Sequence, residues 1–514
     1  MAQPTSPRLA APSVPTIVVS LGVCLAAFEG IGSAQTQDGP ASAQPSGDLA
    51  PSRGAARASD EKPAIPTDAE AIAQGVSRIV AMQEKGPGAD IAAEWPYEGV
   101  YRVGGKIPFG YRVGGTSIAS MALLAAPGFA FDAARKDAVA RAVDFVASAR
   151  SEKLLSPEYD GGYDVRGWAH CYGLRFLLAA KSAGAVSDAQ KPEVDAAIAF
   201  YLDALKATEI PQVGGWQYAR GPGVDNPCPT SPFMTAPCLM ALLEAKAAGL
   251  EVSDELLART VKALELTRGE SGYVAYNAQR PTRDDPKQIP GAIGRMCAVE
   301  VALAHAGKGD EKRLRAAVEK FFEFWPELEK RRKKTGTHVA PYGVAPYYFF
   351  YAFTHAAAAI EQLPDAERPA LRAKFRETLF SVRDADGTWN DRVFPRSASF
   401  GTAMSVLAHR LGRAFALATV LPLGISAATL GLGTMLAYGR PPVDLRATGL
   451  LIPIAHALIA VPLVVAVATP TLRSTDSRLV TVAATLGARP SRAWWTGYGP
   501  TQRTVMIAAG GLAW

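Results

Sequence analysis

The sequence is poor in the residues that build metal centres, and its charge is not concentrated. Among 514 residues there are 5 cysteines and 6 histidines, and no two cysteines form a Cys-x-x-Cys pair, which argues against a structural zinc site. The net charge of +6 is modest. Its densest basic run, Lys330–Lys334, ends a predicted helix, where the helix dipole favours cations. We therefore expect no metal, no cofactor and no nucleic-acid partner.

Charged residues are absent from two runs near the C-terminus, Ala414–Tyr438 and Gly449–Pro470. Each run is long enough to cross a bilayer, which takes about 20 apolar residues. Charged residues are frequent up to His409–Leu411, where two sequences of different character are predicted to meet. The segment 411–514 is predicted to form a pair of transmembrane-type helices and a partial third.

The N-terminus has the order of an export signal. Arg8 precedes the apolar stretch Ile17–Phe28, and the small residues Gly32-Ser33-Ala34 follow, so residues 1–34 are predicted to be a signal peptide. Residues 35–63 are rich in Ala, Ser, Pro and Gly. Such a segment buries too little apolar surface to fold and is predicted to be a disordered linker.

Helical periodicity dominates the stretch 67–409, where strand-like alternation is scarce. Apolar residues recur three and four positions apart, which predicts amphipathic helices and an all-α fold. The predicted helices are Thr67–Glu84, Ser117–Ala126, Asp132–Arg150, Val165–Ala183, Pro192–Thr208, Pro232–Ala248, Ser253–Arg268, Ile289–Ala306, Glu311–Arg332, Val344–Leu363, Ala366–Val382 and Ser399–His409.

A glycine-aromatic turn recurs between pairs of these helices, at a spacing of about 50–60 residues. Glycine permits the positive φ of a tight turn, and the aromatic side chain that follows can bury a large area against the next hairpin. Six such hairpins can close into a ring around a cavity. The turn sequences are Gly161-Gly162-Tyr163, Gly214-Gly215-Trp216, Gly272-Tyr273 and Asp386-Gly387-Thr388-Trp389, with Gly104-Gly105 and Gly114-Gly115 in the first position.

These turns resemble the repeats of the prenyltransferase and squalene-cyclase family. Gly214-Gly215-Trp216-Gln217-Tyr218 and the helix after it are similar to the family's repeat, and Asp386-Gly387-Thr388-Trp389 matches its Gln-x-x-Asp-Gly-x-Trp turn, with Arg383 in the Gln position. The resemblance covers about 67–409. It implies that residues 64–410 form an (α/α)6 toroid of helical hairpins.

The chain departs from the family's catalytic motifs. The Asp-x-Asp-Asp acid of the cyclases is missing, and Asp284-Asp285 lacks the earlier Asp. The zinc-binding Asp-x-Cys of the prenyltransferases is also missing, because Arg295 stands in the Asp position before Cys297, which leaves His355 as a lone downstream ligand. These departures favour a toroid that is not an enzyme, although the question stays open.

Several aromatic and polar residues are candidates to line the central cavity. An aromatic cavity with a few polar groups suits an apolar or polycyclic small-molecule ligand. The alternative is that the aromatic side chains only fill the interfaces between hairpins. The candidates are Trp168, His170, Trp216, Tyr273, His338, Tyr347, His355, Asp386 and Trp389.

The C-terminal part resembles a truncated ABC-transporter permease of the thiamine or iron type. The permease coupling loop, Glu-Ala-Ala-x-x-x-Gly-x9-Ile-x-Leu-Pro, is matched at Ala483, Gly487 and Pro500, with Thr481 in the Glu position and Val482 in place of the first Ala. Ala484 belongs to the same predicted ATPase-coupling loop. The resemblance implies a membrane location and docking on an ABC ATPase subunit, if this part functions.

The two parts imply incompatible orientations. Arg473, Arg478, Arg489 and Arg492 place the loop inside the cell by the positive-inside rule. Two crossings then return Arg410 to the inside, whereas an export signal places it outside. This conflict indicates a fusion, a frameshifted gene or an assembled sequence, and so a chimeric chain.

The function that we expect is an exported toroid of unidentified activity, ligand-binding or non-catalytic, with a permease fragment fused to it. The alternatives are a permease subunit, for residues 411–514 only, and a terpenoid-cyclase or prenyltransferase-like enzyme. The toroid is expected in the periplasm or at the cell surface, the tail in the inner or plasma membrane, and the whole chain at a membrane.

Overall fold

A computed structural model of the chain describes residues 66–99, 105–159, 165–217 and 228–411, together with two short strands at 439–440 and 443–444. This part of the chain is mostly helical, as predicted. Its twelve α-helices are α1 Asp68–Ala81, α2 Phe109–Ala125, α3 Ala133–Ser148, α4 Arg166–Ser182, α5 Lys191–Ala207, α6 Pro232–Ala247, α7 Asp254–Glu265, α8 Ile289–His305, α9 Glu311–Glu329, α10 Phe349–Glu361, α11 Arg368–Ser381 and α12 Ala398–Leu411.

The helices form two concentric rings. Each even-numbered helix packs against the next even-numbered one, and α12 packs against α2, which closes the inner ring. The odd-numbered helices pack outside it. Inner helices such as α8 are apolar and buried along nearly their whole length, whereas outer helices such as α7 bury one stripe, as their positions require. The described helices therefore form an (α/α)6 toroid.

The loops at the two ends of the ring differ in length. Each inner helix passes through a short turn to the outer helix behind it, as at 126–132 and 306–310, whereas longer loops such as 208–231 lead from an outer helix to the next inner one. The C-terminal ends of the inner helices thus lie at what we call the short-turn end of the ring. Their N-terminal ends lie at the long-loop end.

The first and last helices form the sixth pair of the toroid, with α1 outside α12. Helix α1 packs mainly against α12. Arg376 of α11 forms an ion pair with Asp68, and the Arg78 Nε–H donates to the carbonyl of Asp386 at 2.9 Å. The helix α1 is also held by its own capping box, in which Thr67 and Glu70 bond each other's backbone.

The glycine-aromatic turns lead into the inner helices. Gly214, Gly215, Gly272 and Gly387 all have positive φ, which confirms their turn role. In three turns the indole N–H donates to a carbonyl near the end of the preceding outer helix, Trp95 to Ile79 (2.6 Å), Trp216 to Leu205 (3.0 Å) and Trp389 to Leu379 (3.0 Å). The backbone N–H of the same residues donates to Thr116 (2.9 Å), Thr235 (3.0 Å) and Thr402 (3.1 Å) of the next inner helix.

One predicted turn is wrong. Gly114 and Gly115 lie inside α2 and are buried, and the aromatic residue of this first turn is Trp95. The two glycines serve close packing, since a Cβ at Gly114 would lie 2.8 Å from the Trp168 ring and a Cβ at Gly115 2.5 Å from the Trp95 carbonyl oxygen.

The described residues also include four short strands, which the all-α prediction did not contain. β1 Glu84–Lys85 pairs antiparallel with β2 Ala92–Glu94. β3 Gly439–Arg440 pairs antiparallel with β4 Val443–Asp444. The chain divides into two units, residues 1–411 and 412–514, and the second is described only at β3 and β4.

Several predictions fall on residues that are not described. They are the signal peptide 1–34, the linker 35–63, the glycine turn at 161–163, and the membrane runs and coupling loop of 411–514. Within the described ranges, no helix combines the length and the apolar character that a membrane span requires.

Candidate functional site

The turn residues proposed for the cavity make hydrogen bonds within their own turns or to neighbouring helices. Trp216 and Trp389 are buried in the turns described above. The Asp386 carboxylate accepts hydrogen bonds from the backbone N–H (3.0 Å) and hydroxyl (2.7 Å) of Thr388, so it shapes its own turn. Tyr273 is half-buried, and its carbonyl accepts a hydrogen bond from the backbone N–H of Gly269 at 2.7 Å. A cavity role for these residues stays a prediction.

His170 faces an outer helix. Its Nε2 lies 2.8 Å from the carbonyl oxygen of Leu155, and its ring contacts Phe200 and Tyr201 of α5 edge-on or tilted. Burial lowers the pKa of His170 to about 4, against the opposing effect of the bond to Leu155. A neutral imidazole between α4 and α5 has the contacts of a packing residue.

Trp168 belongs to an aromatic cluster at the long-loop end. Its ring stacks on Tyr97 at 5.7 Å and meets Tyr111 at 5.1 Å and Tyr172 at 5.6 Å. Phe400 of α12 lies 4.3 Å from Tyr97. All five side chains are almost completely buried. Segments that lie far apart in sequence thus meet in one apolar, aromatic region.

His338 and Tyr347 are the two predicted residues that the fold brings into direct contact. His338 Nδ1 lies 2.7 Å from the carbonyl oxygen of Gly343, and Nε2 lies 3.1 Å from the Tyr347 hydroxyl. Because a carbonyl can only accept, Nδ1 carries a proton, and in the neutral imidazole Nε2 then accepts from the hydroxyl. The Arg392 guanidinium lies 5.9 Å from the Tyr347 ring centre, which ties this pair to the last long loop.

Asp391 and Arg392 follow the Trp389 turn and were not predicted. Asp391 is 0% exposed, and neither of its carboxylate oxygens has a hydrogen-bond partner in the described part of the chain. Burial raises the pKa of Asp391 to about 7, although the charges of Arg392 and Arg332 oppose the rise. An adjacent acid and base just beyond a turn of the repeat is the sequence signal that could have identified this pair.

His355 lies apart from His338. It is buried on α10, its ring centre 4.4 Å from that of Tyr351, and neither ring nitrogen has a described partner. Burial, helped by the charge of Arg175, lowers its pKa to about 3. The Cys297 thiol donates to the carbonyl of Ala317 on α9 at 3.5 Å. Among the described residues, no three His, Cys, Asp or Glu side chains are placed to hold a metal ion.

A cavity of about 830 Å³ opens at the short-turn end, between α4, α5 and α6. Arg175 and Glu244 cross it as a bidentate pair, Nε to Oε2 at 2.9 Å and Nη2 to Oε1 at 2.6 Å. Lys181 pairs with Asp195 at 2.5 Å on the rim. Most of the remaining wall is apolar, formed by Met121, Leu178, Ala179, Ile198, Ala199, Met240, Leu243, Ala247, Ala248 and Leu250.

The ionisable groups in this cavity leave it without net charge. Burial raises the pKa of Glu244, and the neighbouring Arg175 guanidinium opposes that rise and keeps the ion pair together. His305 completes the wall, and burial lowers its pKa to about 4, so that it is neutral near pH 7. This site was not predicted from the sequence, although Arg175 and Glu244 each stand out as a charged residue in the middle of an apolar helical stretch.

No protein-family model and no curated protein matches the chain. Solved structures with similar chain traces include the type II terpene cyclase MstE from Scytonema, with 14% identity and a TM-score of 0.40 over 68% of this chain and 99% of that one. An inactive variant of the α-1,6-mannanase GH76A from Salegentibacter sp. HEL1_6 has 15% identity and a TM-score of 0.44 over 67% and 99%.

The Lin0763 protein from Listeria innocua has 14% identity and a TM-score of 0.42 over 67% of this chain and 97% of that one. Likenesses of this size decide nothing about activity. The assignment of the toroid rests on the closed inner ring of even-numbered helices.

Proposed function

We propose that the toroid is a non-catalytic binding protein for a neutral, apolar small molecule. The observation that carries the proposal is the cavity of about 830 Å³ at the short-turn end, a size within the usual range for small-molecule sites. Its apolar wall favours a compact hydrocarbon-rich or polycyclic molecule, because such a ligand gains most from leaving water.

The charges around the cavity favour a neutral ligand over an ion. Arg175 is engaged by Glu244 on two atoms, and Lys181 by Asp195. An ion bound deep in the cavity would have to compete with the buried Arg175–Glu244 pair, and breaking that pair leaves a buried charge uncompensated. A neutral molecule can pack against Leu178, Met240 and Leu243 without disturbing either pair.

Titration of the full-length chain with the neutral apolar dye Nile red tests the proposal. Ala199 is exposed and lines the cavity, so Ala199→Trp should fill the entrance and weaken binding at least about tenfold. Ala196 is exposed on the same helix but does not line the cavity. Ala196→Trp is therefore the matched control and should leave affinity within about twofold. Equal affinities in both variants would contradict a site in this cavity.

The absence of catalysis is tested separately. The sequence lacks the Asp-x-Asp-Asp acid of squalene-type cyclases, and we expect the purified chain to leave squalene and oxidosqualene unchanged. A cyclised product on gas chromatography, formed by the wild-type chain and not by heat-inactivated protein, would establish the enzyme alternative instead.

We also propose that the toroid is exported and that the permease-like tail does not transport. The export proposal is supported by the signal-like order of residues 1–34, and N-terminal sequencing of the secreted chain tests it. The proposal that the tail does not transport is supported by Thr481, which stands in place of the coupling glutamate. Residues 411–514, expressed in a strain without its thiamine or iron permease, should fail to restore uptake. Uptake that depends on a matching ATPase would overturn this proposal.

A further inference from the structure

Among the described residues, six of the buried polar atoms without partners belong to four residues at the long-loop end of the ring. They are both carboxylate oxygens of Asp391, the Tyr97 hydroxyl, the Trp168 indole N–H, and Nε and Nη1 of Arg392. Asp391, Tyr97 and Trp168 are 0% exposed, and Arg392 is 3% exposed. Native proteins bond the great majority of their buried polar groups, so a group of unbonded ones needs an explanation beyond folding.

These atoms belong to one region of the molecule. Tyr97 stacks on Trp168 at 5.7 Å, and the negative charge of Asp391 is the largest electrostatic influence on the Tyr97 hydroxyl. Arg392 directly follows Asp391 and lies against the rings of Tyr347 and Phe394. The unbonded groups therefore lie close to one another among aromatic rings.

We propose that this region binds the carboxylate group of a small apolar molecule. The unbonded groups are mostly donors, namely the guanidinium, the phenol and the indole N–H, and such a set calls for a ligand with acceptor oxygens. An arginine guanidinium is the side chain best matched to a carboxylate. The surrounding rings of Tyr97, Trp168 and Phe400 suit an aromatic or aliphatic remainder.

Asp391 has a defined part in this recognition. A ligand carboxylate bound to Arg392 lies beside the Asp391 carboxyl, and two neighbouring carboxylates do not both stay ionised. The charged groups that face Asp391 are Arg392 from its own loop and Arg332 after α9, with Tyr97 across from it. Lys333 contacts Asp391 only through its backbone N–H, at 2.9 Å, and its ammonium is held by Asp384. Binding should therefore draw one proton from solvent onto Asp391.

Calorimetry on the full-length chain with benzoate tests the site. Above neutral pH the affinity should fall by up to about tenfold for each pH unit, because each benzoate that binds requires Asp391 to take up one proton from solvent. Titrations in two buffers of different ionisation enthalpy should show uptake of up to one proton. Benzamide and benzylamine, of matched shape, should bind at least about tenfold more weakly. Preferential binding of benzylamine, or no binding of benzoate, would overturn the proposal.

Variants separate carboxylate binding by Arg392 from proton uptake by Asp391. Asp391→Asn imitates the protonated acid, so it should keep benzoate affinity at pH 6.5 and lose both proton uptake and pH dependence. Arg392→Gln should abolish binding. Arg396→Gln is the control, because this nearby arginine is 44% exposed and paired with Glu84 at 2.8 Å, and it should bind as the wild type does. If Arg392→Gln does not fold, the proposal is still tested by comparing the proton uptake and pH dependence of the wild type with those of Asp391→Asn. Proton uptake that persists in Asp391→Asn would refute the role given to Asp391.

Discussion

Replacing Asp391 with Asn should stabilise the fold at alkaline pH and have a much smaller effect in acid. The carboxyl group is completely buried, with no hydrogen bond to either oxygen within the described residues. Burial raises its pKa from 3.8 to about 7. Holding this group ionised in the folded chain therefore costs about 4 kcal/mol, since each pKa unit corresponds to about 1.4 kcal/mol.

The sign follows from proton binding in the two states. Between pH 4 and 7 the folded state holds a proton on Asp391 that the unfolded state has released, so the free energy of unfolding falls as pH rises through this window. Asn carries no such proton. The stability of Asp391→Asn relative to the wild type should be about 1 kcal/mol at pH 4.5 and should rise to a plateau of about 4 kcal/mol by pH 8.

Urea unfolding followed by far-ultraviolet circular dichroism, at pH 4.5, 6 and 8, measures this difference. Asp384→Asn is the matched control. Asp384 is partly exposed and paired with Lys333, and the loss of such a pair should cost less than about 1 kcal/mol with little change over the same range. A difference between Asp391→Asn and the wild type that is equal at pH 4.5 and pH 8 would refute the reasoning.

Three further substitutions test the packing of the ring by the same unfolding measurement. Thr402→Val removes the acceptor of the buried Trp389 N–H and should cost about 1–3 kcal/mol; a loss no larger than that of an exposed Thr→Val change would contradict this. Arg175→Met should cost about 3–5 kcal/mol by stranding Glu244, and Arg175→Met with Glu244→Met should recover part of it, whereas additive losses would show that the pair is not coupled. Gly215→Ala combines φ of +72° with a Cβ 2.3 Å from the hydroxyl of the buried Thr230. It should cost more than Gly184→Ala, where φ is +65°, the Cβ would face open space, and backbone strain alone should cost about 1–2 kcal/mol. Equal costs at the two glycines would show that the contact with Thr230 is not significant.

Much of the fold could be predicted because its signals are local. Each of the twelve predicted stretches overlaps one helix of the structure, since apolar periodicity and turn glycines act within a few residues. The main error was the start of α2, at Phe109 rather than Ser117. Gly114 and Gly115 have the composition of a turn, but they are required by the Trp168 and Trp95 that pack against them, and such a requirement is visible only in three dimensions.

The candidate sites were harder to predict because they assemble from distant segments. The cluster at the long-loop end joins Tyr97, Trp168 and Asp391, which no local pattern connects. Charges inside apolar inner helices were a usable signal, but an ambiguous one. Arg175 and Glu244 mark the cavity, whereas Glu300 of α8 is fully engaged by Arg268 and Arg313 at 2.9 and 3.0 Å and has a structural explanation.

The last long loop contains, within a few positions, a buried residue that the fold explains and one that it does not. Trp389 has its indole N–H and its backbone N–H bonded to the neighbouring helices, so the fold alone explains it. Asp391, two residues later, has a buried carboxylate that no described group bonds. A neutral residue could make the same turn without the cost of burying an acid, so folding gives no reason for the carboxyl group. We propose that recognition of a ligand does give one, because an acid held near its neutral form, beside a guanidinium with two unbonded N–H groups among the described residues, can share a proton with a bound carboxylate.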